Sequence, residues 1–293
     1  MSLANVIPSN VMSALFIEKL NKVLVAGAVC NRNYVGTIAN AGDSVKIPSI
    51  GEFSVSDHTK NGTLTYAALD SASQVLNINQ AKNFSVMVDS IDERQAIANL
   101  VPAIVSQGAY QLALASDTYL LQTVMSTGAG VVAGTGLRNL GSSSSPVTVD
   151  YDGTSGCSVL AMVNRISKRL NEENVPQEGR WMICPPWFHA QLVQNKVLEV
   201  TSNVAGEDAY ANGRVGRAFG FDIRVSNNLT NATADASEIF AGTMAAVTFA
   251  DQLSRIDVRD LETKFGVGVR GLYLYGAKVI QDKALAKAVV TEA

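Results

Sequence analysis

The chain has 293 residues, of which 47% are hydrophobic and 17% are charged, and its formal net charge at pH 7 is −3. This apolar content excludes an intrinsically disordered chain, and the acidic balance excludes a protein that recognises nucleic acid through a broad basic surface. The longest basic cluster, Arg165, Lys168 and Arg169, fits one solvated helix face. Any contact with DNA is therefore expected to be weak and not sequence-specific.

Cysteine usage and the amino terminus indicate the compartment. Cys30, Cys157 and Cys184 lie far apart and form no C-x-x-C pair, which argues against a disulfide framework and against a zinc site. The start of the chain, Met1–Ala4, lacks a basic region followed by an apolar one, so no secretory signal is expected. No stretch approaches 18 apolar residues, so we expect no membrane span. These features favour a reducing cytoplasm.

The first third of the chain predicts one helix and an extended hairpin. Apolar residues at helical spacing between Asn10 and Ala26 predict a short amphipathic helix, capped by Ser9 or Asn10. Alternating patterns then predict strands at Ser44–Ile47 (ended by Pro48), Gln74–Ile78 and Phe84–Val88.

The polar stretch Gly51–Asp70 separates the first two of these strands, and its Asn61-Gly62 pair is a strong hairpin signal. Two strands cannot bury both faces of a hairpin within one chain. The pattern therefore predicts a partner surface, which is the first indication of an assembly protein.

The middle of the chain predicts a long helix. Ser90-Ile91-Asp92-Glu93 is a capping box, and a helix is expected from there to Pro102, with a kink or a fresh start at the proline. A second helix is expected from Ala103 to Ser126, roughly 35 Å long at 1.5 Å per residue. Gly128–Pro146 contains five glycines and is expected to be a mobile loop.

The second half alternates helices and strands, which indicates an α+β fold. We expect a helix at Val159–Leu170, a turn at Val175–Gly179, a buried strand at Trp181–Cys184, a short helix from Pro186 to Gln194, and strands at Phe221–Val225, Glu238–Gly242, Leu253–Val258, Val267–Tyr275 and Lys278–Ile280. No element is predicted for the Ala/Lys/Val-rich tail that follows.

Motifs that could carry chemistry are weak. Cys184 and His189 are five residues apart, but the cysteine lies in an apolar strand, where it acts as a small hydrophobe, and no third group orients the pair. Gly128–Ala133 with Asp150 matches a loose dinucleotide pattern, but a helix precedes it where that mechanism needs a strand. No catalytic, cofactor-binding or metal-binding residue is predicted, and no cofactor.

Two charged groups allow structural interpretations. Glu172-Glu173 lies near Lys168 and Arg169 at a helix end and is expected to pair locally. Arg255–Asp260 alternates charged and apolar residues. It fits either a strand with one solvated face or a set of ion pairs between subunits, and the sequence leaves both interpretations open.

Three groups of residues, taken in order along the chain, carry a resemblance to a known family. They are Val175-Pro176 with Glu178-Gly179-Arg180 before an apolar strand closed by Pro185, Gly220–Ile223 ending in Ser226-Asn227-Asn228, and Phe265–Leu272 through Tyr275–Val279. With the hairpin and the long helix, they resemble the major capsid proteins of tailed bacteriophages, which have the Hong Kong 97-like fold. The resemblance covers nearly the whole chain, although no single motif is diagnostic.

The resemblance implies a division of the chain into the parts of that fold. They are an N-terminal arm (1–39), an extended hairpin or E-loop (40–89), a spine helix with the first part of the peripheral domain (90–153), an axial domain (154–250) and a return to the peripheral domain (251–293).

The resemblance also implies the function. We expect copies of the chain to form the pentamers and hexamers of an icosahedral head that encloses double-stranded DNA, in a virion assembled in the cytoplasm of a host bacterium. The implied partners are the chain itself, a portal and a separate scaffolding protein, because no long extension precedes the arm, with weak non-specific contact to the packaged DNA and none to a membrane. Some relatives form covalent links from a loop lysine, but solvated lysines on loops are ordinary, so none is predicted at Lys60.

Three alternatives remain at the level of sequence. An encapsulin-type nanocompartment shell shares the fold and differs in its cargo. A soluble α/β enzyme requires a convergent polar pocket, for which the sequence offers no cluster. A tail or baseplate protein fits the composition but not the pairing of an extended hairpin with a long helix.

Overall fold

The computed structural model describes most of the chain, namely residues 21–33 (apart from 23), 44–50, 55, 57–58, 60, 71–89, 100–132, 139–194 (apart from 155), 217–229, 231–233, 236–261 and 264–293. Three predictions lie outside these residues: most of the N-terminal helix, the Asn61-Gly62 turn and the Ser90–Glu93 capping box.

The main elements of the described part of the chain are four α-helices of four or more residues and thirteen strands. The helices are α1 (Ala26–Val29), α2 (Leu100–Tyr119), α3 (Val159–Glu172) and α4 (Pro186–Gln194). The strands are β1 (Ser44–Ile50), β2 (Ser71–Asn77), β3 (Gln80–Asp89), β4 (Val147–Asp150), β5 (Cys157–Ser158), β6 (Arg180–Cys184), β7 (Arg217–Ala218), β8 (Phe221–Val225), β9 (Asn231–Thr233), β10 (Ala236–Thr243), β11 (Val247–Asp260), β12 (Gly266–Val279) and β13 (Leu285–Glu292).

The largest sheet has eight strands in the order β5-β4-β13-β10-β6-β8-β7, with β9 paired to β10. Its centre is antiparallel, whereas β4 and β8 join β13 and β6 in parallel. Helix α3 packs on this sheet, and every residue of β6 is buried. The main hydrophobic core therefore lies between this sheet and its helices.

Local sequence signals explain α3 and β6, both of which were predicted. The Ser158 hydroxyl accepts a hydrogen bond from the Ala161 N–H and caps α3. Asn174 and Gly179 then adopt positive φ angles of 58° and 68°, which turn the chain back into β6. The turn is held by Arg180, whose guanidinium donates to the carbonyls of Pro176 and Val175 and to Asn171 Oδ1.

Helix α2 continues through a π-helical segment, Leu120–Met125, into a last α-helical turn, Ser126–Gly128. The long helix was predicted, but the π segment was not. The two adjacent pairs Leu120-Leu121 and Val124-Met125 are all buried, and a wider helical turn accommodates such a broad apolar face. Residues 90–99 are outside the described chain, so a kink or fresh start at Pro102 stays a prediction.

The C-terminal tail, for which the sequence predicts no element, is strand β13 in the middle of the largest sheet. It also anchors the segment that was expected to be a mobile loop, because the Val131 N–H donates to Leu285 and the Val289 N–H donates to Leu140. The expectation of mobility was therefore wrong for the described ends of that segment. Alanine and lysine carry little strand signal, and neighbouring strands supply the stabilisation.

Strand β1 runs through Pro48, which had been expected to end it. Pro48 lies opposite Ser73 of β2, and these strands form a separate two-stranded antiparallel sheet. A proline N atom that faces away from the only partner strand costs no ladder hydrogen bond, as at any sheet edge. The predicted strands at 74–78 and 84–88 are present within and just beyond β2 and β3.

Candidate assembly surfaces

A three-stranded sheet, in the order β11-β12-β3, packs one of its faces against α2. Phe84 of β3 lies opposite Gly271 of β12 and against Gly108 of α2, so its ring is enclosed between two glycines. Further along the helix the Tyr275 hydroxyl donates to the Ala115 carbonyl at 3.4 Å. The sheet and helix form one scaffold because glycine lets their backbones approach closely.

An aromatic cluster fills the centre of this contact. The Tyr275 ring lies 5.7 Å from Tyr119, 5.0 Å from Tyr273 and 6.1 Å from Phe249, measured between centroids. The Arg32 guanidinium lies 5.2 Å from the centroid of Phe249. Burial raises the pKa of Tyr273 to about 12, so its hydroxyl stays protonated and acts as part of the packing.

Apolar side chains are exposed on both faces of the three-stranded sheet. Val86 and Val258 both lie opposite Val269 on the face that packs against α2, and they are 41% and 48% exposed. Met87 and Leu272 lie on the other face, at 41% and 40%. Exposed apolar side chains that lie side by side are typical of surfaces that bind another molecule.

The face of the sheet that points away from α2, which we call the outer face, carries a charge network around Asp257. Its carboxylate lies 2.9 Å from Arg255, 3.4 Å from Arg270, which is its cross-strand partner, and 3.9 Å from Arg259. The hydrogen bond from Arg255 and the surrounding guanidinium groups hold the pKa of Asp257 below its usual range. Three cations around one carboxylate leave the patch positively charged.

This arrangement resolves part of the question left open for Arg255–Asp260. The run is a strand within β11, and its ion pairs in the structure are made inside one chain. Solvent and salt screen exposed pairs of this kind, so they add little to stability. Contacts of the network with another subunit stay a prediction.

The two-stranded sheet is supported only near its base in the described part of the chain. Ile47, Leu76, Ile78 and Ala250 form a small buried cluster there. On the other face of β1, Lys46 and Pro48 are exposed, and Val55, in the segment that joins the two strands, is 92% exposed.

The hairpin that joins β11 to β12 also ends in exposed apolar residues. The Leu261 N–H donates to the Gly266 carbonyl and closes the tip, where Phe265 is 92% exposed and Leu261 is 36% exposed. Val55 and Phe265 thus lie on projections whose apolar side chains are left uncovered by the described part of the subunit.

The residues examined for catalysis do not form a reactive pair. Cys184 is fully buried in β6 and its thiol lies 3.7 Å from the Arg224 carbonyl. Burial raises its pKa to about 12, which is the opposite of what a nucleophile needs. His189 lies on α4, and burial lowers its pKa. Among the described residues no three His, Cys, Asp or Glu side chains come together as a metal site.

The glycine motif at Gly128–Ala133 is structural where it is described. Gly128 ends the long helix, the Gly130 N–H donates to the Asp282 carbonyl, and Val131 pairs with Ala286 of β13. Asp150, the acid that completed the pattern, ends β4 and accepts from the Gly153 N–H at 2.5 Å. The expected local pairing near Glu172 is present as a 3.9 Å contact with Arg169.

An open cleft of about 440 Å³ lies between α2 and the start of β3, lined by Gln80, Lys82, Gln111, Tyr119 and Tyr275 among others. Its ionisable groups are one lysine and two tyrosines, which is not a set that performs acid–base or nucleophilic catalysis together. Among the helices of the described chain, none is long and apolar enough to cross a membrane.

The sequence matches the family model described as "Phage capsid protein" over residues 72–288, which is more than half of the chain. The chain belongs to the phage capsid protein family. It is a phage capsid protein, hence a structural protein and part of the virion, as the sequence predicted. Neither the encapsulin nor the enzyme alternative is favoured.

Solved structures show that the fold is the expected Hong Kong 97-like one. A chain from Mycobacterium phage Che8 is 24% identical with a TM-score of 0.76, and the match covers 97% of this chain and 96% of that one. The capsid structure of the cyanophage P-SCSP1u is 17% identical with a TM-score of 0.73, over 100% and 95%. The mature capsid of bacteriophage PhiM1 gives 12% and 0.63, over 97% and 92%. No curated protein matches the sequence.

Proposed function

We propose that copies of this chain form the pentamers and hexamers of the head through head-to-tail contacts that close by rotation. The observation that carries this proposal is the pair β1–β2, a two-stranded sheet with a buried cluster only at its base. Such a pair is marginal in water without a further packing surface. A neighbouring subunit supplies that surface when the hairpin lies across it.

The division of the chain follows from this arrangement. Residues 1–39 are the arm, 40–89 the E-loop, 90–153 the spine helix with the first peripheral segment, 154–250 the axial domain and 251–293 the peripheral return. Strand β13 is an exception to the last boundary, since residues 285–292 pair with β10 in the largest sheet and complete the axial unit.

In this proposal, the charge network on the outer face of β11 and β12 lies at a contact between subunits. Arg255, Arg259 and Arg270 carry more charge than Asp257 neutralises. Acidic groups of a neighbouring copy complete the pairing and fix the register of the contact, since charged pairs contribute more to specificity than to affinity.

The remaining partners follow from the role of a shell subunit. A separate scaffolding protein and a portal direct closure in the host cytoplasm, and contact with packaged double-stranded DNA is weak and non-specific because the net charge is −3. The protein performs no catalysis, binds no cofactor and contacts no membrane.

Deletion of residues 51–70, joined by a short glycine linker, tests the role of the hairpin. The base of β1–β2 and the main core are left intact, so soluble subunits are expected that fail to form closed shells in negative-stain electron microscopy. The matched control is Lys60→Ala in the full-length loop, which should assemble normally and, like the unaltered protein, is expected to run as a single-chain band in denaturing gels. Normal closed particles from the deletion variant would contradict the proposal.

A further inference from the structure

The segment that leads from the N-terminal arm into the core lies beside helix α2. Its backbone groups are hydrogen-bonded to two side chains of that helix. The Tyr110 hydroxyl accepts from the Lys22 N–H at 2.7 Å and donates to the Lys22 carbonyl at 3.2 Å. Further along the helix, Asp117 Oδ1 accepts from the N–H groups of Val25 (3.0 Å) and Ala26 (2.8 Å). One side-chain contact is added, from Lys22 Nζ to the Asn227 carbonyl at 3.4 Å.

The spacing of the two helix residues matches the spacing of the backbone groups they hold. Tyr110 and Asp117 are seven residues apart, which puts them on one face of α2 about two turns, or about 10 Å, from each other. Three residues, from Lys22 to Val25, can span at most about 10 Å. The two polar groups of the helix are therefore spaced so that they can hold both ends of this short piece of chain.

Asp117 also connects this segment to the largest sheet. Its carboxylate is 3% exposed, and Oδ2 accepts from Asn228 Nδ2 at 2.8 Å. Asn228 is 2% exposed, and its N–H donates to the Ser226 hydroxyl, while the Ser226 N–H donates to the Cys184 carbonyl at the end of β6. One buried carboxylate thus joins three separate parts of the chain, and its partners are all neutral donors.

We propose that Tyr110 and Asp117 form a backbone clamp that fixes the point at which the N-terminal arm leaves the subunit. Asp117 is the positioning residue, since Asn228 holds its carboxylate in place. The clamp contacts backbone atoms, so it tolerates side-chain changes in the arm but fixes its course. This rests on the proposed function in one respect: the residues before Lys22 are then the part of the arm that reaches neighbouring subunits.

The hydrogen-bonding chemistry allows a reciprocal test. Asp117→Asn replaces one acceptor oxygen with an NH₂ group; with the remaining oxygen on Asn228 Nδ2, this NH₂ group faces the N–H groups of Val25 and Ala26. Asn228→Asp alone places two carboxylates against each other in a buried site. The double variant Asp117→Asn/Asn228→Asp restores a donor–acceptor pair and returns an acceptor oxygen of residue 117 to the arm. Tyr110→Phe, at a half-buried position, removes only the hydroxyl and preserves the fold.

Hydrogen exchange of the unassembled full-length subunit, followed by mass spectrometry, measures the clamp directly. In Asp117→Asn the amides of Val25 and Ala26 are expected to exchange about tenfold to a hundredfold faster, because charge-assisted bonds are lost. Tyr110→Phe should accelerate exchange at Lys22, and the double variant should recover most of the protection. The control Asp152→Asn changes an exposed carboxylate whose partner is Thr154 in its own turn, and it should leave these amides unchanged.

The clamp is overturned if Asp117→Asn and Tyr110→Phe leave the exchange of these amides at the level of the control, or if the double variant recovers no protection. Electron microscopy of the same samples separates this result from the proposed function. Loss of protection together with irregular or unclosed shells supports both proposals. Loss of protection together with normal shells confirms the clamp and refutes its role in directing the arm to neighbours.

Discussion

Replacing Gly108 with alanine should destabilise the subunit, although alanine is the better helix former by about 0.8–1 kcal/mol. A Cβ at this position would lie 2.2, 2.5 and 2.7 Å from three atoms of the Phe84 ring. Carbon atoms attract one another at about 3.5–4 Å, so all three contacts are repulsive. The backbone of Gly271 also packs closely against the ring, since a Cβ there would lie 2.3 Å from it, and this limits how far the ring can shift away from α2.

The expected loss combines two opposing effects. Overpacking a filled site costs about 1–3 kcal/mol, and the gain in helix propensity offsets about 0.8 kcal/mol of that. Gly108→Ala should therefore lower the free energy of unfolding by about 1 kcal/mol. In a Phe84→Ala background the clash is absent, and the same substitution should raise the free energy of unfolding by about 0.8 kcal/mol.

Urea unfolding of the four proteins of this cycle, followed by tryptophan fluorescence, measures both values. Ala109→Gly is the matched control, because Ala109 is exposed on the same helix and should cost about 0.8 kcal/mol in either background. The sign of the Gly108→Ala effect must reverse between the two backgrounds. A stabilising effect with Phe84 present would refute the enclosure of its ring.

Three further changes test other parts of the structure. Arg180→Lys loses the planar geometry that reaches Val175 and Asn171, so the urea midpoint should fall by an amount equivalent to about 1–3 kcal/mol; an unchanged midpoint would show that the turn does not depend on it. Lys287→Met removes the ammonium that lies 3.5 Å from the buried Glu238 carboxylate. The free energy of unfolding, measured by thermal unfolding, should fall by about 3–5 kcal/mol, and adding Glu238→Gln should largely restore it. An equal loss in the single and the double variant would contradict the pairing. The Cys184 thiol, with its pKa raised from 9.0 to about 12, should resist a thiol reagent at pH 8 until the protein unfolds, and rapid labelling of the folded protein would refute its burial.

The same thiol predicts how stability depends on pH. Its pKa is higher in the folded than in the unfolded chain, so the stability that burial of the neutral thiol provides is complete below pH 9. It should be lost as pH rises from 9 towards about 12, because the unfolded thiol ionises first. Replacing Cys184 with alanine should flatten the stability profile in that range, as measured by urea midpoints.

Local sequence patterns were sufficient for α3, β6 and α4, and for most of the long helix. In each case a cap, a periodic apolar stripe or a proline acts within a few residues, so the signal and the structure lie in the same window. The π segment escaped this reasoning because its cause is burial of two adjacent residue pairs against other elements. Strand β13 escaped it because the buried residues Ala286 and Ala288 lie opposite β10, which comes from a distant part of the chain.

The features proposed to act in assembly also divide into those that the sequence predicted and those that it did not. The hairpin and the expectation of a partner surface came from the polar, turn-rich stretch between two strand patterns, and the capsid family came from a resemblance over nearly the whole chain. The enclosure of Phe84 and the clamp at Asp117 were not. A single aspartate within an apolar helix stripe is a signal that could have been noticed, but its partners lie about ninety residues before it and more than a hundred after it. The amino-acid sequence by itself determined which segments become helices and strands and which hairpin lacks a core. Only the tertiary structure decided which distant segments meet, because close packing and buried hydrogen bonds depend on groups that no local window contains.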